Sequence, residues 1–331
     1  MKNSTIYKSG LLFSACLTLI MLSCTNTYAQ VDLQGSQYIF NKTYINPAFA
    51  GTEGTLNANL FYQMNNSNGG ATANSGTAAC AIDGLFPNNK SAYGFNFVRN
   101  RFGNDSYTVA NANYAYHLDL SQDLTLSSGV GLGFQQFNID LLNLQTVTAN
   151  DPVSSNNVYS SKADAHAGLR MLYKSKYYAG LSFDNLLSVY TTRNDYENNV
   201  PQMFRKISMY AIAGANVDFP SSVNLKSSLL LMKTFGGLTA IEFSAMFEMM
   251  HSLSLGASFR QNISYFTTNT ASRDYLYQSI LRPMIQYNIS RKNNLRVGYC
   301  YSFNAGTTNN LNRGSNDFSI VYNIPGKSNF Q

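Results

Sequence analysis

The 331-residue chain has no tryptophan, three histidines and four cysteines, and its one long apolar run is confined to the first thirty residues. Beyond that point no stretch approaches the roughly twenty apolar residues of a spanning helix, so a helical membrane protein is excluded. Cys16 and Cys24 lie in the leading run, while Cys80 and Cys300 fall on separate segments, leaving no disulfide framework and no metal-ligand spacing. Basic residues are few and scattered. Taking away Lys2 and Lys8 with the leader lowers the formal charge from +6 to +4 and leaves no Lys/Arg cluster of the nucleic-acid-binding kind. No Ser/His/Asp or Cys/His arrangement stands out, so no catalytic residue, cofactor or metal is assigned.

What is present begins with a leader. Lys2 and Lys8 precede an apolar stretch from Gly10 to Leu22, and Thr27-Tyr28-Ala29 supplies small residues at a cleavage position. Residues 1–29 are therefore expected to be a signal peptide, with the mature chain starting at Gln30. Cys24, preceded by Met21-Leu22-Ser23, is a poorer, competing site of lipoprotein type.

The rest of the chain repeats one unit: about ten residues of alternating apolar and polar side chains, then a turn rich in Asn, Ser, Gly and Asp. Ile241, Phe243, Ala245, Phe247 and Met249 share one parity, and Glu242, Ser244 and Glu248 the other. Leu295, Val297, Tyr299, Tyr301 and Phe303 likewise alternate with Arg296, Gly298, Cys300, Ser302 and Asn304. Successive strand side chains point to opposite faces, so each strand has one greasy and one wet surface. That pattern predicts an all-β fold, a transmembrane antiparallel barrel of about fourteen strands over residues 54–331, preceded by a periplasmic segment, 30–53. The 23 Tyr and 21 Phe are enough to build both interfacial girdles without tryptophan. A soluble two-domain sandwich is the competing fold, but no Pro/Gly linker divides the chain.

Connection lengths orient the barrel. Even-numbered connections are mostly tight, as at Lys174-Ser175-Lys176 and Met250-His251-Ser252. Odd-numbered ones, near 64–74, 138–160, 188–203, 263–274 and 305–314, are mostly longer, and long loops are external in such barrels. Two connections fit less well, Gly84 to Lys90 being long for a periplasmic turn and Thr234-Phe235-Gly236 short for an external loop. Candidate partner-binding residues on the external loops are Leu141, Leu142, Leu144, Tyr190, Tyr196, Tyr265 and Phe266. The leucines, together with Ile139, are apolar where a merely solvated loop needs no such residues.

Several lumenal positions carry groups capable of chemistry. His166 shares parity with Asp164 and Arg170; Asp184, Glu242, Glu248, Arg260, Arg282 and Arg296 also face inward by parity. Mixed signs point to ion pairs that brace or fill the lumen. Glu242 and Glu248, six residues apart on one strand, are about 20 Å from each other, too far to cooperate in hydrolysis. His117 and His251 are expected at periplasmic turns. Gly129, Gly131 and Gly133 lack the Lys-Ser/Thr and following helix of a phosphate loop, and read better as small lumenal residues leaving room for an inserted loop or tail. Because lumenal changes are usually tolerated, Glu242→Leu is expected to be milder than Phe243→Glu.

After the leader, Tyr38-x-Phe40-Asn41 is followed by Asn46-Pro47-Ala48-x-Ala50-Gly51. This segment strongly resembles the opening of the PorP/SprF family of Bacteroidetes outer-membrane proteins, and Tyr114-Ala115-Tyr116 and Gly298 to Tyr301 resemble it more loosely. Asn46-Pro47 is a turn signal and Gly51 frees the entry to the first strand, so Asn46, Pro47 and Gly51 are expected to set the periplasmic rim. The chain departs from the family where Phe61-Tyr62-Gln63-Met64 replaces a Trp-containing segment, and where Asn316-Asp317 replaces a His-Glu pair.

The resemblance implies a non-enzymatic outer-membrane barrel associated with type IX secretion. It implies as partners a secreted protein with a C-terminal sorting domain, such as a large gliding adhesin, other secretion components, and outer-membrane lipid. A general or solute-selective channel is the alternative that barrel physics alone permits, and a barrel enzyme of lipase or protease kind is a third for which no nucleophile-base pair is found.

Overall fold

In the computed structural model the described residues are 37–65, 75–142, 157–190, 207–220, 223–235, 239–249, 252–263, 279–289, 294–304 and 314–324. Fourteen strands form one closed antiparallel barrel. They are β1 (Leu56–Asn65), β2 (Gly76–Leu85), β3 (Ser91–Phe102), β4 (Asp105–Ser121), β5 (Leu124–Ile139), β6 (Val158–Tyr173) and β7 (Tyr177–Asp184). The second half comprises β8 (Ser208–Phe219), β9 (Val223–Thr234), β10 (Thr239–Met249), β11 (Leu253–Ile263), β12 (Ser279–Asn288), β13 (Leu295–Asn304) and β14 (Ser315–Ile324). Each strand pairs with its chain neighbours, and β1 closes on β14 in register from Leu56↔Ile324 to Asn65↔Ser315. Closure leaves no unpaired edge, which is the condition for crossing a bilayer with strands.

The alternation places the side chains as the sequence pattern requires. Phe243, Phe247, Leu132, Phe134 and Tyr287 are exposed on the outer face. Glu242, Ser244, Cys300, Ser302 and Asp317 are buried within. The soluble sandwich is thereby ruled out: its apolar faces would have to meet, whereas here they face outward. The ends of β1 and β14 lie at the mouth with the tight turns, the periplasmic one by the usual barrel rule. The three-residue β6–β7 connection, Lys174 to Lys176, has Lys174 and Ser175 both at positive φ, and Lys176 N donates to Tyr173 O across the turn. The doubtful β2–β3 connection is an ordered turn: Asn88 Oδ1 accepts from the backbone N–H groups of Lys90 and Ser91.

One expectation is corrected. His117 is not in a turn but inside β4, nearly inaccessible, because that strand runs on to Ser121. From Gln37 on, the segment before β1 packs inside the barrel. A short helix α1 (Gln37–Phe40) and two 3-10 turns, Lys42–Tyr44 and Pro47–Phe49, sit in the lumen, with Tyr38, Ile45, Ala48 and Phe49 almost fully buried.

Candidate functional site

Local chemistry explains the plug's shape. Asn41 and Asn46 are both in extended conformation, and the side chain of each caps the following 3-10 turn, accepting from Thr43 N and Ala48 N at 2.9 Å. Pro47 occupies the first position of its turn, where its missing N–H costs nothing. Gly51 then takes φ of +72°, and a Cβ there would press on Ala92 and Leu85.

The wall receives this segment with matched polar groups. Asp83, near the end of β2, accepts from Asn41 Nδ2 (3.1 Å), Asn57 Nδ2 (2.9 Å) and Gly51 N (2.8 Å). Asn96 on β3 donates to Thr43 O at 2.7 Å and accepts from Thr43 Oγ1 at 3.2 Å. Ser182 on β7 donates to Ile45 O at 2.6 Å, and Asn46 Nδ2 donates to Leu169 O on β6 at 3.1 Å. His117 Nε2 donates to Ala50 O at 3.0 Å, and its Nδ1 meets Ser127 Oγ at 2.7 Å. A buried plug carbonyl or amide without such partners would cost on the order of 1–3 kcal/mol. The plug is therefore specified, not merely accommodated.

Small residues make the room. At Gly129 a Cβ would collide with the backbone of Pro47 and Ala48, and at Gly168 with the side chain of Asn46. The glycines of β5 thus serve the inserted-segment reading at Gly129, while Gly131 clears space for His166 and Asn113. On the opposite side the plug's apolar face packs on large residues: Tyr38, Ile45 and Phe49 share a core with Tyr178, Tyr210, Ile212, Leu230 and Met232. Phe49 meets Tyr178 edge-on at 5.8 Å, and Arg170 lies over the other ring, Phe49, at 5.2 Å.

Two polar layers complete the lumen. Arg282 Nη1 pairs with Glu242 Oε1 at 2.9 Å and Arg282 Nε donates to Ser302 Oγ, all three nearly inaccessible, beside Tyr38 of the plug. Elsewhere Gln135 Nε2 donates to Asp164 Oδ2 and Asn185 Oδ1, while His166 bonds Asn113 and faces Asp184 at 3.8 Å. Among the described residues no three His, Cys, Asp or Glu are placed to hold a metal ion. The charged pairs lie in the wall's interior as the mixed-sign parity suggested.

Of the candidate residues, Asn46 and Pro47 lie against strand positions several residues inside the barrel, Gly168 and Gly129, whereas Gly51 lies against Leu85 and Ala92 at the ends of β2 and β3. Turn chemistry identified their conformation but not their depth. Leu141 is half-buried and Leu142 exposed just beyond β5, where the Leu142 N–H donates to Asn157 Oδ1. Tyr190 ends a 3-10 turn, Leu186–Tyr190, whose final side chain is not described. Leu144, Tyr196, Tyr265, Phe266 and His251 lie outside the described residues. The reading of residues missed Asp83, Asn96 and Ser182 as plug receptors; a lone acid at a lumenal position after Thr77, Ala79 and Ala81 was the available sign.

The segment that forms the plug is the one whose motif resembles a family opening, and the family described as type IX secretion system membrane protein PorP/SprF matches residues 27–322. The chain belongs to the PorP/SprF family. This places it among outer-membrane barrels associated with type IX secretion. No functionally curated protein matches this PorP/SprF protein significantly. In fold it is similar to the CymD monoaromatic hydrocarbon channel, at TM-score 0.53 and 10% identity, over 92% of this chain and 96% of that one. It is also similar to the deltaS2S3 mutant of the TodX monoaromatic hydrocarbon channel, at TM-score 0.51 and 10% identity, over 86% of this chain and 94% of that one. At such identity the likeness is one of fold.

Proposed function

We propose that this PorP/SprF protein is a non-enzymatic barrel that supports export or surface attachment of one secreted protein, bearing a type IX sorting domain, through its external loops. The observation that carries the reading is the plug. A lumen occupied by Gln37 to Gly54, with that segment bonded to the wall on several strands, leaves the mouths as the working surfaces. The secreted partner is a gliding adhesin or a comparable large surface protein. Loops rich in Asn, Ser and Tyr suit hydrogen-bonded, partly wet contacts. The signal peptide of residues 1–29 would deliver the chain to the periplasm for insertion.

The channel reading is the competitor, and conductance separates the two. Purified protein in a planar bilayer should give no large steady conductance; open steps of porin size would favour the channel. For the loop, replacing Leu141, Leu142 and Leu144 by Ser should leave heat-modifiable migration of the barrel intact and reduce surface display of the partner severalfold. Normal display by a normally assembled barrel would remove this loop from the interface.

A further inference from the structure

The plug does not fill the periplasmic mouth evenly. Between it and the wall from β6 round to β13 remains a cavity of about 410 Å³, within the range of small-ligand sites. Its charge is one-sided. Six cations line it: Lys42 of the plug, Arg170 on β6, Lys174 and Lys176 at the β6–β7 turn, Lys226 on β9 and Arg296 on β13. Against them stand Glu53 and Asp218 in the lining, and Glu248, which pairs with Lys226 at 2.9 Å. Glu53 sits in the field of Lys42, Arg296, Lys226 and Arg170 together. Positive charge exceeds negative by three.

Arg170 gives the cavity a built anion receptor. Its side chain is only 5% exposed, it lines the cavity, and its Nε and Nη1 have no hydrogen-bond partner. A buried guanidinium held over the Phe49 ring with unused donors is costly unless a ligand uses them. Planar donors of this kind suit a carboxylate.

We propose that this periplasmic vestibule docks an acidic, carboxylate-bearing peptide segment of a protein partner on the periplasmic side. Three features favour a peptide over a lone small anion or a lipid headgroup. The cations are spread from β6 to β13, so one phosphate cannot engage them, whereas several carboxylates along an extended chain can. Between them lie Leu172, Met246 and Met284, which take apolar side chains, and Asn224 and Gln286, which bond a peptide backbone. Most of its lining faces the barrel interior rather than the lipid face, away from bilayer headgroups. This vestibule is at the opposite mouth from the loops discussed above, and its occupant is independent of theirs.

The test uses the full-length protein in detergent and in nanodiscs, with a fluorescein-labelled octapeptide carrying four Glu, its Gln counterpart, inorganic phosphate, and phosphatidylglycerol vesicles. Saturable anisotropy change is expected with the Glu peptide alone, weakening steeply as salt rises. Arg170→Gln should weaken binding about tenfold, and Lys174→Gln with Lys176→Gln about threefold, as buried and rim charges respectively do. The turn pair is exposed, so it keeps the test informative if Arg170→Gln fails to assemble. Binding of the Gln peptide equal to that of the Glu peptide, absence of saturable binding, or affinity unchanged in the turn variant overturns the proposal. So does displacement of the peptide by low-millimolar phosphate, which would make this a small-anion site, or by the vesicles, which would make it a lipid site.

Discussion

The two arcs of the wall hold the same plug by different means. From β3 to β7 the wall is thin inside: Ala92, Gly94, Ala115, Gly129, Gly168 and Gly180 let the plug approach closely, and bonds from Asn96, His117 and Ser182 to its carbonyls fix it. From β8 to β12 the wall is thick: Tyr210, Leu230, Met232, Met284, Arg260 and Arg282 reach inward and meet plug side chains. The thin arc reads the plug's backbone and so specifies its path. The thick arc reads its apolar face, where burial is worth roughly 25 cal/mol per Å² of apolar surface. Directional contacts set where the plug lies, and burial sets how firmly it is held.

The largest expected effect lies in the thick arc. Arg282→Met strands Glu242, which has no accessible surface, and breaking such a buried pair typically costs about 3–5 kcal/mol. The midpoint of the heat-induced gel shift should fall sharply, and Glu242→Leu combined with Arg282→Met should recover most of it. The same pair reverses the ranking drawn from sequence: Glu242→Leu alone, which strands Arg282, should now be at least as harmful as Phe243→Glu on the outer face. If Arg282→Met is silent, the far arc does not depend on this pair.

Gly129→Val probes the thin arc, where any side chain meets plug backbone. Overpacking of about 1–3 kcal/mol is expected, with the plug displaced while the barrel still closes. Bilayer recordings should then show conducting steps that the native protein lacks. A closed lumen in the variant would mean that the thick arc alone retains the plug. The smallest effect is at Asn46→Ala, which removes one cap and the bond to Leu169 O and should cost about 1–2 kcal/mol. Hydrogen exchange should rise at Ala48 and its neighbours but not in β10–β12. Exchange rising equally in both arcs would erase the distinction between them.

Much of this fold is legible in the chain because a barrel wall is local physics. Parity assigns every lumenal residue from Glu242 to Arg296, since the side-chain period of a strand is fixed at two. The tight connection Lys174-Ser175-Lys176 is likewise marked. The plug was not legible as a plug, because Asn46-Pro47 and Gly51 specify the same bends whether water or wall surrounds them. Nor was the ion pair. Strand register places Glu242 opposite Arg260, yet its partner Arg282 stands one strand further away, next to the small Ser258. Side-chain length, not register, decides that choice.

Chain order gives the plug a place in time as well as in space. It is translated before any of the strands that hold it, and its partners follow as far along as Asn323, whose Nδ2 donates to Glu53 O from 270 residues further on. Wall hairpins need only their neighbours; the sole distant pairing among strands is the β1–β14 seam. A barrel that curls up hairpin by hairpin around a segment already present covers that segment's apolar face as it grows. It never has to enclose a column of water and then expel it. The segment works as a mandrel, and the seam, whose closing entropy grows only with the logarithm of chain length, is the last join.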